Sequence, residues 1–175
     1  MFRWIHPSKK NPEDMLKPFS MDFYPLLEQW ITGKDILFQY SGTYFSYPIT
    51  REQITGYMMK HPERKLYLGF TDDDVPYAFG EIIPREENPP RLARLLIGDP
   101  ALRGKGLGES FVRELIREAQ DHLHAGIIDL FVLEDNLSAI RCYQKVGFDF
   151  LHEGDFTLAF EGTVYLLKKM RLRLH

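Results

Sequence analysis

The segment Gly98-Asp99-Pro100-Ala101-Leu102-Arg103-Gly104-Lys105-Gly106-Leu107-Gly108 concentrates glycine and positive charge. Gly104, Gly106 and Gly108 let a backbone turn tightly and approach a ligand closely. A helix beginning there turns free N–H groups, and the positive end of its dipole, toward a phosphate. Arg103 and Lys105 add charge. Two readings are open for the loop by itself: an anion cradle, or a turn that uses glycine only for positive φ. Two nucleotide motifs are excluded. Gly106 follows Lys105, so the glycine–lysine–hydroxyl triplet of a Walker loop is absent, and a dinucleotide fingerprint would need a third glycine where Glu109 stands. Metal chemistry finds no ligand set either. Cys142 is the single cysteine, and His122 and His124, two apart on a helix, diverge.

The elements around the loop follow from periodicity. A strand is expected over Arg91 to Gly98 and an amphipathic helix over Glu109 to His124, its stripe made of Val112, Leu115, Ile116, Ala119 and Leu123. Ile127 to Leu133 reads as a strand buried on both faces, and Asn136 to Val146 as a helix closed by Gly147. The strand–helix–strand unit from 91 to 133 requires a parallel pair. Lys65 to Phe70 and Val75 to Ile83 extend this as an antiparallel meander. Phe148 to Glu153 and Thr163 to Arg171 are the tail strands. Before residue 65 a helix is expected over 12–32, interrupted near Pro18 and Pro25. Ile36 to Tyr40 reads as extended, and a helix is expected from the capping box Thr50-Arg51-Glu52-Gln53 to about Lys60. The fold class is α/β: a mixed, mostly antiparallel sheet with one parallel strand pair, flanked by helices, in one domain over 1–175.

At 175 residues, 44% hydrophobic and 14% aromatic, the chain can build a sizeable core; 22 Lys+Arg against 25 Asp+Glu leave no basic excess for nucleic acid. Met1 to Pro7 carries no apolar signal core, and the best candidate for a span, Ile127 to Leu133, is short and contains Asp129. A cytoplasmic location and no membrane partner are expected.

Arg103-x-x-Gly106-x-Gly108 resembles the (Gln/Arg)-x-x-Gly-x-(Gly/Ala) signature of the GNAT superfamily of N-acetyltransferases. Asn136-x-x-Ala139-Ile140-x-x-Tyr143-x-x-x-Gly147-Phe148 resembles the same family's second segment. The likeness covers about residues 65 to 150. Trp30 and the helix start at Pro48 to Gln53 resemble the branch of ribosomal-protein N-terminal acetyltransferases. The resemblance implies acetyl-coenzyme A as cosubstrate, no metal, and direct transfer to an amine. It implies that Leu96, Ile97 and Gly98 lie along the pantetheine on a strand splayed from its parallel neighbour, with an N–H near Leu96 or Ile97 donating to the thioester carbonyl. Amides from Arg103 through Gly104, Lys105, Gly106, Leu107 and Gly108 to Glu109 would take the pyrophosphate.

Asn136 and Tyr143, two helical turns apart, share a side of their helix. Asn136 suits a helix cap, and the resemblance adds a contact to the pantetheine arm. Tyr143 is either an interfacial core aromatic or, as the resemblance implies, the acid that protonates the departing thiolate. The glutamate that some members carry on the Leu130-Phe131-Val132 strand is absent. Glu81, between apolar residues on its own strand, either faces a cleft as a base working through water or occupies an exposed alternating face. Glu134 and Asp135 are the next candidates, with a bland reading as acids at a helix N-terminus. Cys142 reads as a small buried hydrophobe. Asp72-Asp73-Asp74 reads as a solvated turn able to attract a cationic acceptor. Phe38, Tyr40, Tyr44, Phe45 and Tyr47 read as core or as a wall of the acceptor site. The expected function is N-acetyl transfer to a small primary amine whose positive charge nearby carboxylates meet. The alternatives are a protein N-terminus as acceptor, or a non-catalytic acyl-coenzyme A sensor. A monomer or homodimer is expected.

Overall fold

The computed structural model describes residues 15–174, so the first seven residues and the start of the expected 12–32 helix lie outside it. One sheet organises the described chain. Its strands are β1 (Leu16–Pro18), β2 (Lys65–Phe70), β3 (Pro76–Ile83), β4 (Arg91–Ile97), β5 (Ile127–Leu133), β6 (Asp149–Phe150), β7 (Phe156–Phe160) and β8 (Thr163–Arg173). The spatial order is β1-β2-β3-β4-β5-β8-β6, with β7 also paired to β8. Every pairing is antiparallel except β4 with β5. The helices are α1 (Tyr24–Trp30), α2 (Lys34–Ser41), α3 (Arg51–Lys60), α4 (Leu107–Leu123) and α5 (Leu137–Val146).

The parallel pair fixes the site. Only Arg91↔Asp129 and Leu92↔Leu130 are in register between β4 and β5; beyond them the two strands part. A bulge helps them do so. Glu81 opposes Ala93 and Phe79 opposes Leu96, so Gly80 alone on β3 faces both Arg94 and Leu95. Arg94 takes a positive φ of 52°, a conformation that costs a non-glycine residue free energy and needs support from its surroundings.

Two cores flank the sheet. Phe111, Val112, Leu115, Ile116 and Ala119 of α4 pack with Ile140, Tyr143 and Val146 of α5 in one. The expected α4 stripe is present except for Leu123, which is exposed at the helix end. Leu27, Trp30, Leu37, Tyr40, Ile54 and Tyr57 from α1 to α3 form the other with Phe79 and Leu96.

The first half of the chain departs from expectation. The 12–32 helix resolves into β1, a 3-10 turn at Met21–Phe23 and the short α1. Pro18 ends the strand, and Pro25 sits in the first turn of α1, where its missing N–H costs nothing. Residues 36–40 are helical within α2, not extended. Thr50 does cap α3 by accepting from the Gln53 N–H at 3.3 Å, but only half the capping box forms. The Gln53 amide instead bonds Ser46 N–H and O and Pro48 O, pinning the preceding loop.

Candidate active site

Gly106 begins the site at the N-terminus of α4. It sits at φ 82°, in the left-handed region that favours glycine, and has no side chain to cap the first turn. The Ser110 N–H reaches Gly106 O, which leaves the Leu107, Gly108 and Glu109 donors unused by the helix. The space where a Gly106 Cβ would sit is open, so a ligand can meet this backbone directly.

From the loop, a cleft of about 460 Å³ runs between β4 and α5. Leu96, Ile97, Arg103, Gly104, Gly106, Gly108, Glu109, Asn136, Cys142 and Tyr143 border it. Lys105 of the same loop and Leu107, the first residue of α4, do not border the cleft. Arg103 folds back, its guanidinium donating to Ile97 O at 3.3–3.4 Å. Register separates the two expected donors on β4. Gly98 N–H bonds Tyr77 O, so by antiparallel alternation Leu96 also directs its N–H toward β3. Ile97 directs its N–H the other way, into the opening left by β5. Leu96 therefore contributes side-chain surface, and Ile97 the free donor. Gly98 is glycine for a separate reason: the Trp30 indole lies 2.1 Å from where its Cβ would be, so Trp30 packs directly on the end of β4.

Asn136 Oδ1 caps α5, accepting from Ala139 N–H at 3.2 Å, and the residue borders the cleft. Tyr143 is 8% exposed, and among the described residues its hydroxyl has no hydrogen-bond partner. Burial pushes its phenol well above the ordinary value, so it stays protonated. Tyr40, offered by the sequence as core or as part of an acceptor wall on an extended segment, lies instead on α2 and meets the same cleft. Its hydroxyl also lacks a partner among the described residues, and burial raises it likewise. The clustered aromatic rings were the available signal.

A second cleft, about 220 Å³, joins the first at Gln39, Tyr40, Leu95, Asn136, Ala139 and Tyr143. Its walls are Phe38 from α2, Arg91 to Leu95 from β4, Phe131 to Leu133 from β5, and Phe156 and Leu158 from β7. Phe38 stacks on Phe160 with centroids 4.4 Å apart, and Phe131 meets Phe156 edge-on at 4.9 Å, so the β7–β8 hairpin closes this side.

Glu81 borders neither cleft, and it does not occupy the exposed alternating face that one reading of the sequence gave it. It is wholly buried, and its carboxylate receives hydrogen bonds from the Tyr57 hydroxyl and the Arg94 guanidinium. Arg94 also donates to the Tyr57 hydroxyl at 2.8 Å and stacks on Tyr44, Phe45 and Tyr57. This cluster holds the strained bulge. Glu134 and Asp135 border neither cleft, nor does the Asp72–Asp74 turn, whose Asp74 bonds Lys17 at 2.8 Å. The only acid on the combined walls among the described residues is Glu109, which pairs with Arg113 at 2.9 Å. The second cleft carries Arg91 and Arg94 on its wall and no carboxylate among the described residues. Cys142 is half-buried, and burial raises its thiol, consistent with a packing role.

Comparison with known proteins agrees with this geometry. The spermine/spermidine N(1)-acetyltransferase of Bacillus subtilis is 30% identical over 100 residues, 55% of this chain and 66% of that protein, so the match spans just under two thirds of the relative. The N-alpha-acetyltransferase RimI of Mycobacterium tuberculosis is 42% identical over 50 residues, 29% of each chain. The solved spermidine N-acetyltransferase of Vibrio cholerae, in complex with CoA and spermine, superposes with a TM-score of 0.74 at 16% identity, covering 90% of this chain and 94% of that one. An aminoglycoside acetyltransferase in complex with coenzyme A gives 0.70 at 18%, covering 91% and 94%. The model of the acetyltransferase (GNAT) family matches residues 14–148. With its glycine loop, parted strands and Asn136–Tyr143 helix in the described arrangement, the chain belongs to the acetyltransferase (GNAT) family.

Proposed function

We propose that the chain transfers an acetyl group from acetyl-coenzyme A to the primary amine of a small molecule, directly, in a ternary complex. The observation that carries this reading is the continuous groove from the unfilled first turn of α4, through the gap between β4 and β5, to the unpartnered Tyr143 hydroxyl. The amides of the 103–109 loop take the pyrophosphate. Leu96, Ile97 and Asn136 flank the pantetheine, and the Ile97 N–H donates to the thioester oxygen as charge develops on it. The amine nitrogen attacks the carbonyl carbon, the carbon–sulfur bond breaks, and Tyr143 gives its proton to the departing thiolate. The amine's surplus proton leaves to water.

No wall carboxylate is needed as base. The amine enters as the neutral fraction present in solution, having given its ammonium proton to water. Relatives named for spermine, spermidine and aminoglycosides support a small acceptor. The short RimI match keeps a protein N-terminus as the second reading. Incubation with acetyl-coenzyme A and separate panels of small amines and peptides, followed by release of free thiol, tests the proposal. Thiol release only with peptides replaces the small acceptor by a protein N-terminus; none with either panel favours a sensor.

A further inference from the structure

The acceptor cleft holds more positive charge than the protein neutralises. Arg91 and Arg94 line it, and Arg64, outside it, shares the single buried carboxylate of Glu81 with Arg94. Arg94 takes that carboxylate directly. Arg64 reaches it at 4.0 Å and has Glu63 at 3.5 Å as well as the Tyr57 hydroxyl at 2.5 Å. Arg91 has no hydrogen-bond or ion-pair partner among the described residues. Its Nε is buried and unsatisfied, and its guanidinium lies 5.5 Å from the centre of the Phe131 ring. The nearest acid in register, Asp129, is committed to Arg171 and Lys169. Glu86 and Glu87 of the β3–β4 turn are exposed and form no ion pair with Arg91.

The buried Nε of Arg91, like those of Arg64 and Arg94, carries a desolvation cost, and unlike theirs the rest of its guanidinium meets no protein partner among the described residues. Burial first, and then the neighbouring Arg85, Arg64 and Arg94, press the Arg91 side chain below its ordinary value. Its forked donors match a carboxylate in two parallel hydrogen bonds. Arg91 and Tyr143 border one cleft of about 220 Å³, with no acid on its walls among the described residues. That space suits an amino-acid-sized molecule better than an extended tetraamine, whose repeated cations would also meet two arginines.

Resting on the acetyltransferase reading of the same groove, we propose that the acceptor is a small primary amine that carries a carboxylate, held by Arg91, with an apolar or aromatic body against Phe38, Phe131 and Phe156. The charge preference thus runs opposite to that of a polyamine site, although relatives of the chain are named for polyamines.

Matched reaction products separate the carboxylate from everything else. With the protein saturated in coenzyme A, calorimetry compares N-acetylphenylalanine with N-acetylphenethylamine, and N-acetylleucine with N-(3-methylbutyl)acetamide. Each pair differs only in the carboxylate. The acid should bind at least about tenfold tighter in both pairs, and Arg91→Gln should abolish the difference while coenzyme A affinity is retained. Arg91→Lys should keep part of it, because the charge remains and the fork is lost. In turnover, phenylalanine and leucine should exceed phenethylamine, 3-methylbutylamine and spermidine in kcat/KM. Equal affinity within both pairs, spermidine as the best of these acceptors, or an undiminished preference in Arg91→Gln would overturn the proposal. Should Arg91→Gln not fold, the wild-type pairs and Arg91→Lys decide it. The binding arm also stands apart from catalysis. A chain that transferred acetyl to no amine yet kept the tenfold preference would lose the enzymatic reading and retain the anion site.

Discussion

Tyr143 combines two properties that a proton donor needs, a place on the groove wall and a hydroxyl with no partner among the described residues; burial raises its pKa, which keeps it protonated but makes it a weaker acid. Tyr143→Phe keeps the ring and its edge-on contact with Phe148 and removes only the proton. Turnover should fall on the order of a hundredfold, about 2.7 kcal/mol, with little change in cofactor affinity. Tyr40 offers the control. If Tyr40→Phe has the larger effect under conditions where chemistry limits the rate, the donor is the phenol on α2. At Gly106 the constraint is conformational and steric together. Gly106→Val forces a β-branched residue to φ 82° and puts methyl groups in the space a ligand would use. Acetyl-coenzyme A should bind at least about tenfold more weakly, by calorimetry, in a variant whose circular dichroism shows it folded.

Among the elements, those legible in the sequence were those whose pattern is local. The α4 stripe, the apolar β5 and the Asn136 cap of α5 are read from side-chain period and cap chemistry alone. Three features were not. Lys34 to Ser41 is helical because Leu37, Phe38 and Tyr40 bury against the sheet and β7, which a row of aromatic residues does not reveal. The β7–β8 hairpin turns on Glu161 and Gly162, both at positive φ, with Phe160 opposite Thr163; Glu-Gly is a weaker hairpin signal than Asn-Gly. The strand expected over 148–153 shrinks to Asp149–Phe150 beside it. The bulge at Arg94 depends on a partner strand and a counter-ion that sequence spacing does not show. Its role gives Glu81 a new prediction. Glu81→Gln leaves a buried guanidinium without its counter-charge, since Arg94 is 8% exposed at the side chain and Glu81 not at all. Stability should fall by about 3 kcal/mol by denaturant titration. The acidic limb of the pH–rate profile should stay in place. A displaced limb in a variant of unchanged stability would return Glu81 to service as the base.

At the scale of the whole molecule, the sheet must stay joined at one end of the β4–β5 gap to stay parted at the other. Sequence predicted the parallel pair from the strand–helix–strand unit, but not how soon the pair ends, because register is a property of two strands. It also placed the loop before α4, and Asn136 and Tyr143 at α5, and it could not foresee the arginine-lined second cleft assembled from β4, β5 and β7. Asp129 stands at the joined end. It is fully buried on β5, opposite Arg91 on one side and Arg171 of β8 on the other. Burial alone would raise its carboxyl. Hydrogen bonds from Arg171 at 2.6 and 2.9 Å, and the Lys169 ammonium at 3.1 Å, outweigh that and hold it below the usual aspartate range. A carboxylate whose pKa is lower folded than unfolded binds more protons in the unfolded chain at intermediate acidity. Its stabilisation is therefore complete above the unfolded value of about 3.9 and is lost as pH falls through the folded one. Asp129→Asn removes the charge at every pH and strands two cations that are only partly exposed. It should cost about 2–3 kcal/mol near neutral pH, and the gap to the wild type should narrow below about pH 4. Thermal melts of both proteins from pH 7 to pH 3 measure this. A gap that stays constant over that range would mean that Asp129 contributes by packing, and that the β5–β8 clamp is not electrostatic.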